Sequence, residues 1–501
     1  MKNLFKYAAV YWKSMIAIVI VLLVQAYCDL SLPAYTSDIV NVGIQQNGIE
    51  EQVPEVISVE EMDRLLLFVP ADDQEKVLDL FDEDASSYEK EAYVLKDSVS
   101  EGDEALEEAE DILAGPMMLV SGFESGSDMT QQIEEQLRAG IPAEMLTGSE
   151  DIFDILGMLP QEQREAMISQ MEEQMEEIPD TILEQAAVAY VRGAYEDVGM
   201  DVNEIQTGYL LRTGGKMAAL AFLGMAASIL VGFLASRVGA QAGRDLRSRV
   251  FRKVVGFSNN EFDHFSTASL ITRSTNDIQQ IQLLIVMLLR IVLYAPILAL
   301  GGIFQVFQTN VSMSWIIALA VVLIALVIFV LFTVAMPKFK ILQNLVDKVN
   351  LVMREILTGL SVIRAFSTER HEEERFDEAN RDLTKTNLFV NRAMTFMMPV
   401  MMLVMNGISV LIVWNGAHGI SDGQMQVGDM MAFIQYTMQI IMGFLMICML
   451  SIMLPRAAVA ADRVEEVLAS KTVIHDSEQP ETFSADQKGV LVFDHVSFKY
   501  P

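Results

Sequence analysis

Cysteine is almost missing from this chain: Cys28 and Cys448 are the only two in 501 residues, and both lie in apolar segments. The stretch 49–205 has none, so no disulfide framework can staple it. No G-x-x-x-x-G-K-[ST] occurs anywhere, so nothing in these residues can cradle a nucleotide's phosphates. Basic residues are scarce where acidic ones crowd. Residues 36–210 hold 44 Asp and Glu against 7 Lys and Arg, leaving 24 acidic and 28 basic residues elsewhere. The net charge of −33 therefore belongs to one acidic, water-soluble insertion inside a slightly basic remainder. Basic residues cluster only beside apolar runs, which disfavours nucleic-acid binding. The first apolar run, Trp12–Ala34, lacks a small-residue cleavage motif and reads as a retained span. Proline is absent between Pro179 and Pro296, and again between Pro337 and Pro399.

What is abundant is apolar: 52% of the residues are hydrophobic. Six segments are long enough to cross about 30 Å of hydrocarbon, at roughly 13–34, 212–236, 280–305, 313–336, 395–417 and 429–454. Lys2, Lys6 and Lys13 precede the first; Arg237, Arg244, Arg247, Arg249, Arg252 and Lys253 follow the second; Lys338, Lys340, Lys348, Arg354 and Arg364 follow the fourth. The segment after the fifth, Asn415–Asp429, has no basic residue. By the positive-inside rule both termini face the cytosol and the acidic insertion lies outside. The proline-free stretches keep helical apolar spacing, as in Leu246, Val250, Phe251 and Val254. A helix from Leu211 to Phe257 would be about 70 Å long, roughly twice the bilayer. The spans are therefore expected to continue into the cytosol as stalks, with breaks at Gly256–Asn260 and at Thr358-Gly359. The plainer alternative is two ordinary cytosolic loops.

Several separate motifs then fall in order. Gly243-Arg-Asp-Leu-Arg-Ser-Arg-Val and Phe262-Asp-His-Phe-Ser-Thr-Ala-Ser-Leu precede the third span. Glu355-Ile-Leu-Thr-Gly-Leu-Ser-Val-Ile-Arg-Ala-Phe366 follows the fourth, and Leu32-Pro-Ala-Tyr-Thr-Ser-Asp-Ile-Val-Asn-Val-Gly-Ile44 closes the first. Over about residues 1–48 and 206–501 the chain resembles the bacterial half-size ABC multidrug exporters, six helices followed by an ATPase domain. The resemblance implies a mainly α membrane fold: a first span with N-terminal elbow (1–48), spans two to six with two intracellular coupling loops (206–470), a linker (471–488), and the first strand of a nucleotide-binding domain (489–501). The stretch 49–205 departs from the family's short outer loop. Its helical patterns at Val59–Val69, Asp72–Phe81, Glu104–Leu113, Thr130–Leu137 and Asp151–Val198 predict a compact, mainly helical extracytoplasmic insertion. Asp82-Glu-Asp84 and Glu107-Glu108 lack the spacing of a calcium loop and read as solvated surface; no metal site is expected.

The resemblance also implies roles. Phe262–Leu270 and Leu360–Phe366 would be coupling helices docking on ATPase domains, with Phe262, Phe265, Leu360 and Phe366 as contacts; the plainer reading of each aromatic is packing within its own stalk. The alternation Val492, Asp494, Val496, Phe498, Tyr500 predicts a strand, and in the family its last aromatic stacks on adenine, which would be Tyr500. ATP and Mg would be bound mainly by residues past 501, where the family places its phosphate loop. The chain is thus expected to be cut just inside its ATPase domain, and no catalytic residue is assigned within it.

Six helices are too few for the family's pore, so a second half-transporter is implied, a heterodimer being favoured over two copies. Membrane lipids and a small hydrophobic substrate complete the expected partners, in a bacterial plasma membrane. Spans five and six are dense in methionine, including Met438 and Met442, a residue suited to promiscuous apolar surfaces and equally to helix packing. Polar side chains at membrane depth discriminate better because they are costly there: Arg290, Asn406, Gln435 and Gln439 are the candidates for the cavity. The leading reading is ATP-driven export of hydrophobic or amphiphilic compounds by alternating access. Lipid or peptide export, and a non-transporting receptor or scaffold built on the same frame, are the alternatives.

Overall fold

The computed structural model describes residues 10–84, 88–96, 99, 104–125, 152–157, 164, 166–168, 178–309, 311–472, 489 and 492–499. They divide into two compact units, Met1–Ile16 with Phe233–Arg290 and Leu450–Pro501, and Ala17–Gly232 with Ile291–Met449. Helix α1 (Trp12–Asp38) runs through Pro33 into a π-helical turn at Ile39–Gln45. The insertion follows as β1 (Val56–Ser58), α2 (Val59–Leu66), α3 (Ala71–Leu78), β2 (Phe81–Asp84), β3 (Ala92–Leu95), α4 (Glu104–Ser125), α5 (Ile152–Gly157) and α6 (Asp180–Asp197). Then come α7 (Val202–Val255), α8 (Asn259–His264), α9 (Thr267–Thr272) and α10 (Ile278–Met287), with π-helical turns at Arg273–Asp277 and Leu288–Val292. The rest is α11 (Tyr294–Thr309), α12 (Ser314–Thr358), α13 (Leu360–Phe366), α14 (Glu369–Ser421) and α15 (Val427–Ala469).

Six of these stretches are long and apolar enough to cross a membrane: Trp12–Gln45, Val202–Val255, Thr267–Thr309, Ser314–Thr358, Glu369–Ser421 and Val427–Ile447. Four helices extend far past a bilayer's thickness, α7 at 54 residues, α12 at 45, α14 at 53 and α15 at 43. Nothing in the proline-free stretches of α7, α12 and α14 interrupts the hydrogen-bond ladder, so they stay continuous. They stop where glycine removes the propensity to go on, α7 before Gly256 and α12 at Gly359, whose N–H bonds the Glu355 carbonyl at 2.8 Å. In the second unit the spans pack through Leu30, Leu298, Ile316, Ile412, Phe433 and Ile440, all buried. Other apolar side chains such as Phe222, Ile229 and Phe329 stay exposed, which suits helices solvated by lipid.

The insertion has its own core and is not purely helical. β1, β3 and β2 form an antiparallel sheet in that order, with Val56 opposite Val94 and Phe81 opposite Leu95. The expected helix Asp72–Phe81 therefore ends at Leu78, and Phe81 opens a strand instead: burying its ring in the core outweighs the poor strand propensity of Asp82-Glu-Asp84. The helix expected to end at Leu113 runs on to Ser125 through Pro116, because Leu113, Met117 and Val120 bury one face together. Phe68, Phe123 and Phe153 meet with ring centroids 5.8–6.3 Å apart, and Arg64 covers Phe153. The pattern at Thr130–Leu137 lies outside the described residues. Among the described residues, 492–499 carry no strand assignment.

Glu61 is a buried acid in this core, ion-paired to Arg64 at 2.8 Å and accepting a hydrogen bond from the Tyr190 hydroxyl at 3.2 Å. Desolvation, with Glu124 nearby, pushes its carboxyl above the ordinary glutamate range despite Arg64 and Tyr190. The folded chain thus holds this proton more tightly than the unfolded chain. Its contribution to stability is present in acid, below about pH 4.3, and is lost as pH rises through the raised value. Glu61→Gln is expected to flatten the pH dependence of α2 amide protection, corrected for intrinsic exchange, as pH rises above the ordinary glutamate range. A profile identical to wild type would refute this.

Candidate functional site

Two places carry short helices between long ones. In the first unit, Ser258 and Glu261 form a capping box that starts α8: the Ser258 N–H bonds Glu261 Oε2 at 2.6 Å. Phe257, Phe262 and Phe265 then cluster, Phe265 stacking on Phe257 at 5.9 Å. Phe265 is only 4% exposed and lies under the Arg273 guanidinium. Arg273 continues to the Arg463 carbonyl at 2.9 Å and to Glu466 at 2.7 Å, so α9 and its π-helical turn are moored to α15. Phe265 is therefore packed within its own chain, whereas Phe262 keeps 43% of its surface exposed.

In the second unit, α13 joins α12 to α14 and buries none of its seven residues. Leu360 is 39% exposed and Phe366 76%. Ser367 ends the helix in the left-handed conformation, φ 52°, turning the chain into α14. α12 and α14 are held together beside it by Arg375, which pairs with Glu355 and with Glu372. The result is an apolar knob on a stiff helical hairpin that nothing covers among the described residues.

The membrane-depth candidates are not gathered at one point. Arg290 sits exposed in the π-helical turn Leu288–Val292. Asn406 is exposed on α14, Gln435 and Met438 are half-buried on α15, and Met442 is 49% exposed. Gln439 is committed to packing: its amide nitrogen donates to the Asp29 carbonyl on α1 at 2.9 Å. Tyr500 lies outside the described residues.

Two polar groupings escaped the sequence reading. Tyr294 donates its hydroxyl proton to the Asp29 carboxylate, deep in α1. At the end of the same helix Asn41 donates to Ser37 Oγ and Asp429 Oδ1, both at 3.1 Å, and accepts from the Gly428 N–H at 2.6 Å. Ser37 donates to Asp429 at 2.8 Å. The signal for both was present, a single carboxylate in an apolar run and a cluster of small polar residues at a span end, but the partners are hundreds of residues away. Beneath the insertion, a cavity of about 380 Å³ is lined by Glu50, Glu51, Glu55, Glu204, Tyr209 and Arg212, among others. Among the described residues no cluster of metal-ligating side chains occurs.

A profile described as the ABC transporter transmembrane region matches residues 194–444. An uncharacterized ABC transporter ATP-binding protein of Mycobacterium tuberculosis is 35% identical over 311 residues, 62% of this chain and 53% of its own length. Another from Bacillus subtilis is 35% identical over 288 residues, 58% of this chain and 50% of its own. A third, also from Bacillus subtilis and named "probable multidrug resistance ABC transporter ATP-binding/permease protein", is 27% identical over 262 residues, 51% of this chain and 44% of its own. The chain spans about half the length of the curated relatives it matches.

Proposed function

The chain belongs to the ABC transporter transmembrane family, and on that premise we infer that it is the membrane half of an ATP-driven exporter of hydrophobic or amphiphilic compounds. The observation that carries the reading is α13: an uncovered apolar knob at the tip of a helical hairpin. Burying Leu360 and Phe366 in a groove of an ATPase domain would tie motion of that domain to rotation of α12 and α14, a rigid-body coupling of packed elements. Phe262 would serve the first loop in the same way. ATP and Mg would bind the ATPase domain, with Tyr500 stacking on adenine. A second half-transporter, different in sequence, completes the pathway. The termini face the cytosol and residues 49–205 stand outside a bacterial plasma membrane.

The test is ATP-dependent uptake of amphiphilic dyes into inside-out vesicles carrying the full-length protein with its partner half. Uptake should require ATP hydrolysis and vanish in a variant whose ATPase cannot hydrolyse. A receptor or scaffold that presents the insertion would bind ATP without any ATP-dependent flux, and that result would overturn the reading.

A further inference from the structure

Asp29 is the only charged residue between Lys13 and Asp38. At about 1.5 Å per helical residue it lies roughly 24 Å from the first and 14 Å from the second, well inside the hydrocarbon. A carboxylate at such depth is costly unless something offsets it. Among the described residues no ion pair reaches it. Its neighbours come from three other spans. Tyr294 on α11 donates one hydrogen bond to the carboxylate, and Gln439 on α15 donates to the backbone carbonyl of the same residue. On α7 the position facing it is Gly224, where a Cβ would lie 3.7 Å from Asp29 Oδ1. A Cβ at Gly224 would also lie 3.3 Å from the Cys28 Cβ, so α7 approaches α1 closely here, and Asp29 remains half-buried, not enclosed.

The hydrogen-bond inventory of this junction is lopsided. A carboxylate offers about four acceptor positions and Tyr294 fills one. The Gln439 side-chain oxygen is buried with no donor at all. Flipping that amide would set oxygen against the Asp29 carbonyl and lose the bond it makes, so the orphan acceptor is real. Gln25, one turn before Asp29 on α1, bonds the Tyr294 hydroxyl and not the carboxylate, so among the described residues the acid keeps open acceptor positions and no counter-charge. A guest that balances both carries a positive charge, N–H donors or both on an apolar body.

We propose that Asp29 is a specificity-determining residue that selects cationic amphiphiles as cargo. This rests on the exporter reading and names the substrate class for it. Tyr294 positions the carboxylate.

The test measures binding apart from transport, on the full-length protein assembled with its partner half in detergent. Equilibrium dialysis compares tetraphenylphosphonium, the neutral triphenylphosphine oxide and the anion tetraphenylborate. Asp29→Asn should weaken tetraphenylphosphonium about tenfold or more while triphenylphosphine oxide stays within about twofold. Asp29→Glu should keep the cation preference. Unchanged affinity in Asp29→Asn overturns the proposal. So does equal weakening of cation and neutral probe, which would mean a packing role. A wild-type preference for tetraphenylborate overturns it too and points to Arg290. Should the Asn variant fail to assemble, wild type still answers: tetraphenylphosphonium should slow modification of Asp29 by dicyclohexylcarbodiimide, and triphenylphosphine oxide should not. Equal rates with both overturn it. ATP-driven flux is read separately in vesicles, so absent flux with intact discrimination counts against the exporter reading alone.

Discussion

Phe366→Ala is expected to cut ATP-driven transport at least about tenfold while the chain folds as before. The ring is exposed and α13 buries nothing, so its removal opens no cavity and uncovers no polar group. Docked in a partner groove, a fully buried phenylalanine contributes about 2 kcal/mol, or about thirtyfold in the docking equilibrium. All of that loss falls on coupling. Phe265→Ala provides the contrast. That ring is buried between Phe257 and Arg273, and truncating it should destabilise the folded chain by about 3 kcal/mol. Vesicle flux and thermal melting measured on both variants separate the two effects. Wild-type flux in Phe366→Ala would remove α13 from the coupling path.

The second large effect is expected where α1 meets the start of α15. Asn41→Leu should lower the unfolding free energy by about 2–3 kcal/mol, since it strands the Gly428 N–H and takes a donor from Asp429 in a buried setting. Gly428→Leu should be worse. A Cβ there would lie 2.5 Å from the Asn41 side-chain oxygen and 2.5 Å from the Ser37 carbonyl oxygen, and a backbone carbonyl cannot step aside. The accumulation of folded, monodisperse protein in detergent checks both. If Gly428→Leu melts at the wild-type temperature, the close approach of these two helices does not hold the bundle together.

Much of the membrane architecture was legible because its signals are local. Twenty apolar residues announce a span whatever surrounds them, and glycines at 256 and 359 mark where α7 and α12 stop. The aromatic cluster and the knob on α13 were visible only as residue types. Which of Phe265 and Phe366 is covered depends on Phe257 and Arg273, and no periodicity reports that. The insertion misled for a different reason. Its strands are three or four residues long, and β2 contains Asp82, Glu83 and Asp84, so the sheet is made by cross-strand pairing and not by propensity. Asp29 was passed over because hydropathy averages it away. Arg290 stands out by its charge, while the acid with the more informative surroundings lies inside the first apolar span.

The chain leaves α1 for the insertion at Gly48, and it returns at Gln206 beside the same point. Gly48 has φ 82°, and a Cβ on it would lie 2.8 Å from the Gln206 Cα, while the Gln206 side chain bonds the Gly43 carbonyl at 2.8 Å. Entry and exit are therefore one seam. A domain whose ends already touch can arrive in evolution by a single insertion event without moving the helices on either side. The same seam makes it a cassette: lineages can lose it, exchange it or elaborate it, and an engineer can replace it with a reporter or an affinity handle, at the cost of rejoining two neighbouring residues.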